Sequence, residues 1–163
     1  MPMTGRMDPH EAQPERSGPS IKGRALRLLA MREHTRPELE KKLARHDPDP
    51  DELCQALDEL QAKGFISEAR VVESVLHSRG SRLGARRVRQ ELQAKGVSDV
   101  ALAHAMDQLR ATEMDRARDV WRKKFGQLAV EPKERARQAR FLLARGFGSE
   151  VVRRVTQSDD DAS

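Results

Sequence analysis

The side chains able to carry chemistry in this sequence are five histidines, a single cysteine and a large supply of charge. Hydrolysis or group transfer needs a nucleophile beside a base, or metal ligands gathered on one face. His10, His34, His46, His77 and His104 never recur at i, i+4, no acid frames them as a zinc motif, and Cys54 has no second cysteine. Each histidine therefore reads as a surface or boundary side chain. Gly80-Ser81-Arg82-Leu83-Gly84 is the nearest approach to a phosphate loop. No lysine and hydroxyl follow it, so it reads as a turn. The expectation is a protein without catalytic residues, cofactor or metal, whose work is binding.

What remains is basic charge. Thirty-one Lys and Arg face 26 Asp and Glu, a formal net charge of +5. That balance favours an acidic partner without reaching histone-like density. It is most concentrated in the middle of the chain, where Arg70, Arg79, Arg82, Arg86, Arg87, Arg89 and Lys95 stand against Glu73 and Glu91. Helical spacing turns Ala85, Val88 and Leu92 inward and leaves Arg86, Arg89 and Gln93 on a common outward face. Arg87 sits four residues before Glu91, the spacing of an ordinary surface pair. Arg79, Arg82, Arg86 and Arg89 are thus the first candidates for contact with phosphates or acidic side chains, the alternative being a merely solvated face. There is no Tyr, one Trp and four Phe. Base stacking is therefore unsupported, and nucleic-acid contact should be directed to the backbone and strongly salt-dependent.

These residues must be positioned by helices. Thr35 with Glu38 reads as a capping box, Asp49-Pro50-Glu52 as an N-cap, N1 proline and N3 acid, and Ser67, Ser98 and Ser149 as further N-caps. Gly64, Gly80, Gly96, Gly126 and Gly146 fall where a left-handed residue ends a helix. Nine helices are predicted, near 21–33, 36–45, 50–63, 68–79, 84–95, 99–110, 113–125, 132–145 and 149–157. They are bounded by a loose tail over 1–20 and an acidic one over 158–163, which includes Asp159, Asp160 and Asp161.

The nine fall into triplets over 21–67, 68–111 and 112–157, because short blocks return at nearly constant offset. Ala56-Leu57-Asp58-Glu59-Leu60 returns as Ala105-Met106-Asp107-Gln108-Leu109, and Leu92 to Val97 returns as Leu142 to Phe147. Helices this short need neighbours to bury their apolar stripes. Leu39, Leu57 and Leu60, then Val75, Val88 and Leu92, then Trp121, Phe141 and Leu142 are among the expected core residues of the successive triplets. The fold class is all-α, three tandem three-helix repeats stacked into an elongated, curved array. A lone cysteine excludes an intramolecular disulfide, and the absence of an apolar leader or an 18-residue apolar run places the expected protein in the cytoplasm, as a monomer without membrane contact.

Taken in order, Ala25-Leu26-Arg27-Leu28-Leu29-Ala30, Arg32-Glu33-His34-Thr35, Glu38-Leu39, Leu57, Leu60 and Gly64-Phe65 form a recognisable series. It continues through Ser78-Arg79, Gly84, Arg87-Val88-Arg89-Gln90-Glu91-Leu92, Lys95-Gly96-Val97, Arg140-Phe141-Leu142-Leu143 and Arg145-Gly146-Phe147. This series resembles the RecX regulators of the bacterial RecA recombinase over about residues 21–156. The resemblance implies a curved array of three-helix repeats that binds in the helical groove of the RecA filament on single-stranded DNA. It implies inhibition of filament growth, ATP hydrolysis and strand exchange, and so moderation of recombination and the SOS response. Arg70, Arg79, Arg82, Arg86, Arg89, Lys95, Arg140 and Arg145 are the expected contacts to filament or DNA. Two departures from the family pattern stand out: Glu68-Ala69-Arg70-Val71-Val72 carries valine where an aromatic is usual, and Ala85 replaces a proline. The competing expectation is a sequence-independent nucleic-acid binder acting through phosphates alone.

Overall fold

The computed structural model describes residues 18–157. Within them the chain forms eight α-helices: α1 (Ile21–Met31), α2 (Arg36–Leu43), α3 (Pro50–Ala62), α4 (Glu68–Arg79), α5 (Ala85–Ala94), α6 (Asp99–Lys124), α7 (Pro132–Ala144) and α8 (Ser149–Thr156). A 3₁₀ turn over Ala44–His46 extends α2. There is no strand among the described residues.

Local sequence explains most of the starts. Thr35 accepts from the Glu38 amide while Glu38 accepts from the Thr35 amide, a complete capping box. Ser20, Ser67 and Ser98 each accept from the amide three residues on. Ser149, expected as an N-cap, is instead the first residue of α8 behind Gly148, and Asp49 caps α3 without a side-chain bond. Gly64, Gly96, Gly126 and Gly146 take positive φ. Gly80, expected to do the same, is right-handed at φ −57°; α4 simply runs out there into the turn that leads to α5.

The fold class stands with one difference in count. The sixth and seventh predicted helices are one helix, the 26-residue α6. No glycine or proline interrupts Arg110-Ala111-Thr112-Glu113, and the Thr112 hydroxyl turns back to the Leu109 carbonyl, 3.5 Å away, so nothing ends the ladder. Leu102, Ala105, Met106 and Leu109 on its first half join the second hydrophobic cluster. Ala117 on its second half is buried in the third, flanked by Met114, Val120 and Trp121.

The apolar side chains gather into three clusters along the chain. Leu39, Leu43, Leu57 and Leu60 centre the first, which α1, α2 and α3 enclose. Val75, Val88 and Leu92 lie in the second, and Leu142, Phe147, Val152 and Val155 in the third. Burying a Leu or Val side chain fully stabilises by about 1.5–3 kcal/mol, so each small cluster can hold its three helices only with help from its neighbour. Trp121 and Phe141, expected in the core, are half-buried at its edge. The Trp121 indole donates to Gln138 Oε1 at 3.0 Å, and Gln138 donates on to the Gln127 carbonyl at 3.2 Å, which satisfies a buried amide and ties down the connection before α7.

Candidate partner-binding surface

The three units meet through one joint made twice. At each, the N-terminus of a unit's middle helix abuts the C-terminus of the next unit's middle helix. In the first, the Thr35 hydroxyl at the start of α2 donates to the Lys95 carbonyl at the end of α5. In the second, the Gly84 amide at the start of α5 donates to the Arg145 carbonyl at the end of α7, at 2.8 Å. Positive and negative helix ends therefore face each other, the favourable sense of the macrodipole. Glycine is needed at both because the backbones close in: a Cβ on Gly96 would lie 2.8 Å from that of Pro37, and one on Gly146 within 3 Å of the Arg87 backbone. The recurrence of Lys95-Gly96-Val97 as Arg145-Gly146-Phe147 is the sequence trace of this joint. In the first unit the matching left-handed residue is Asp47, φ 45°.

The expected contact residues divide by what these joints ask of them. Arg70 and Lys95 fasten the first joint. Arg70 pairs with Glu33 at 2.9 Å and donates to the Gly64 carbonyl at 2.6 Å, while Lys95 lies 3.8 Å from Glu38. Burial would raise the Glu38 carboxyl, but hydrogen bonds from Arg32 and the Thr35 amide, with the Lys95 charge, outweigh it and hold the group below its ordinary value. His34, predicted as a surface or boundary side chain, is instead 1% exposed in this same joint. Its Nδ1 bonds the Arg32 carbonyl at 2.9 Å and its Nε2 meets Lys42 Nζ at 2.9 Å. Burial, with Arg32 and Lys42 nearby, lowers its pKa.

Arg86 and Arg87 fasten the second joint, donating to the carbonyls of Leu143 at 3.0 Å and Ala144 at 3.3 Å. Glu91 therefore pairs not with Arg87, as its spacing suggested, but with Arg79 at 3.5 Å. Arg82 turns back to the Ser78 carbonyl. Arg145 stacks over the Phe141 ring, 4.7 Å from its centroid, and Lys124 covers the same ring at 5.5 Å. Arg89 and Arg140 are exposed and make no hydrogen bond or ion pair among the described residues. Arg86 and Arg89 come together with Arg110 of α6 around a depression of about 330 Å³ at the second joint, its floor formed by Met106, Leu143 and Phe147. Among the described residues Arg110 is tied only to exposed Asp107, at 3.7 Å.

Two residues that spacing alone does not reveal organise this region. Arg116 is half-buried and donates to the carbonyls of Gly80 at 2.7 Å, Leu83 at 2.6 Å and Leu109 at 2.8 Å, joining the turn before α5 to α6. Burial lowers its pKa against the pull of Glu113, yet a guanidinium keeps its proton in a protein. Glu113 accepts from the amides of Ala85 and Gly148, each at 3.3 Å, and so links the starts of α5 and α8. Among the described residues no group of His, Cys, Asp and Glu is placed to hold a metal ion, and no helix is long and apolar enough to cross a membrane.

A row of three-helix units joined end to end, with cations converging at a joint, is the build of a helical-repeat interaction protein. Family models for the first, second and third three-helix domains of RecX match residues 22–60, 67–106 and 111–156. A Regulatory protein RecX of Leptothrix cholodnii is 54% identical over 141 residues, covering 86% of this chain and 90% of the relative. One of Ralstonia nicotianae is 45% identical over 141 residues, covering 86% and 89%. A crystal structure of RecX from Lactobacillus salivarius superposes with a TM-score of 0.69 at 19% identity, covering 86% of this chain and 94% of that one, a likeness of fold. The chain belongs to the RecX family of regulatory proteins.

Proposed function

We propose that this chain regulates the RecA recombinase by lodging in the helical groove of the RecA filament on single-stranded DNA, where it inhibits filament growth, ATP hydrolysis and strand exchange. Membership of the RecX family supports the partner, and the convergence of Arg86, Arg89 and Arg110 at the second joint is the observation that carries the contact. A depression shared by two units is presented correctly only when the joint is closed. Arg86 holds that joint, so Arg89 and Arg110 are the cations left to reach acidic side chains or phosphates. Arg140 extends the set on α7. Arg70 and Lys95 act by holding the first unit in line, so that the array reaches across successive protomers.

The test is RecA ATPase on single-stranded DNA with substoichiometric regulator. Arg89→Glu/Arg110→Glu should lower inhibitory potency at least tenfold with an unchanged helical circular dichroism spectrum. Undiminished inhibition by the double variant rejects this face. Tight, salt-steep binding to naked DNA with no gain on adding RecA favours the phosphate-only reading instead.

A further inference from the structure

A second basic site lies on the first unit and shares no residue with the Arg89–Arg110 depression. Between α1 and the α2 end is a cleft of about 780 Å³, ringed by Arg24, Arg27, Lys41, Lys42 and Arg45. The side chains of Arg24, Arg27 and Lys41 make no hydrogen bond or ion pair among the described residues. Among those residues Lys42 meets only the His34 ring and Arg45 only the His46 ring. The one carboxylate among the described residues of the rim, Glu38, is already held by Arg32 and Lys95. Among the described residues, charge of one sign is thus gathered in a concave wall without compensation, an arrangement that focuses its field on an incoming anion. The His46 imidazole registers it, lowered by desolvation and then by Arg24 and Arg45.

The floor is what chooses the ligand. Leu28 lies there half-buried above the covered Leu43, and Met31, 82% exposed at the end of α1, adds apolar surface at the edge. A sugar–phosphate backbone has no apolar side chain to place there, and the single aromatic ring of the lining, the His46 imidazole, is no platform for successive bases. Clustered carboxylates flanking one apolar side chain satisfy both parts: the acids meet the rim, and the anchor covers Met31 and its neighbours. We infer that this cleft is a docking site for an acidic peptide segment of a partner protein carrying a single aliphatic anchor.

Fluorescence anisotropy of the full chain with labelled Asp-Glu-Asp-Leu-Glu-Asp-Glu tests this, beside its Asn/Gln counterpart and an unlabelled oligothymidylate competitor. Saturable binding of the acidic peptide, at least tenfold weaker for the amide version and at least tenfold weaker with Arg27→Glu/Lys41→Glu, is expected. Arg89→Glu should leave it unchanged, which keeps the result independent of the filament-binding reading. In the unaltered chain the Met31 methyl resonance should shift on peptide addition, a readout that needs no variant to fold. Absence of saturable binding, equal binding by the double variant, or an unmoved Met31 methyl overturns the inference. So does displacement by the oligonucleotide at concentrations below the peptide's own dissociation constant, which assigns the cleft to phosphodiesters.

Discussion

Gly84 and Gly148 make a matched pair from which the strength of the second joint can be measured. Both are N-cap residues in extended backbone, at φ −75° and −66°, so alanine strains neither and costs each the same loss of a favoured cap. Their surroundings differ completely. Nothing lies within 4 Å of a Cβ placed on Gly148, whereas one on Gly84 falls within 3 Å of the Gly146 carbonyl group and the Phe147 amide nitrogen, which are backbone atoms and cannot rotate away. Relief requires the units to part. That costs an overpacking penalty of about 1–3 kcal/mol, and it weakens the Gly84–Arg145 and Arg86–Gly146 backbone bonds, each contributing roughly 1 kcal/mol. Gly84→Ala should therefore lose about 2–4 kcal/mol beyond Gly148→Ala in urea unfolding followed by circular dichroism. At the roughly 2–4 °C per kcal/mol usual for chains of this size, a 3 kcal/mol loss lowers Tm by about 6–12 °C. If the two variants unfold within about 0.5 kcal/mol of each other, the end-to-end contact of α5 and α7 is not what holds the units together.

Arg116→Met should cost roughly 2–4 kcal/mol in the same urea assay, because three carbonyls lose a charged donor at once; a cost under 1 kcal/mol removes it from the architecture. Arg70→Ala should cost less than about 1 kcal/mol, since its pair with Glu33 is part-exposed and screened, and a loss as large as that of Arg116→Met contradicts this ranking. For His34, the folded state binds a proton less readily than the unfolded chain, whose imidazole titrates near 6.5. Its contribution is present above that pH and is lost progressively as pH falls below it through the lowered folded value. The Tm should drop between pH 7.5 and 5.5 and do so less in His34→Asn; equal slopes exclude His34 as the source.

Much of this was legible in the residues. Capping at Thr35, Ser67 and Ser98 gave helix starts because a side chain and the backbone it bonds lie three residues apart, and the returning Leu-x-x-x-Gly blocks marked the middle helices. The continuous α6 was not legible, since Thr112 is equally at home beginning a helix or sitting within one, and only packing against both clusters decides. The basic face was half legible. Spacing placed Arg86 and Arg89 on one side of α5, but whether an arginine is free or bound depends on carbonyls far along the chain, such as that of Leu143, 57 residues away. Arg110 was missed because it reaches the depression from another helix. Arg116 and Glu113 carry no motif, and the inter-unit spacing of about 49 residues, set beside Gly84 and Gly146, is the signal that points to their neighbourhood.

Electron microscopy of RecA filaments on single-stranded DNA, with and without this protein, bears most directly on the regulatory role proposed here. Added density should follow the helical groove, contact successive protomers and face the filament with the Arg89 side of α5. Filaments whose grooves stay empty at saturating regulator, or density confined to DNA free of RecA, contradict it.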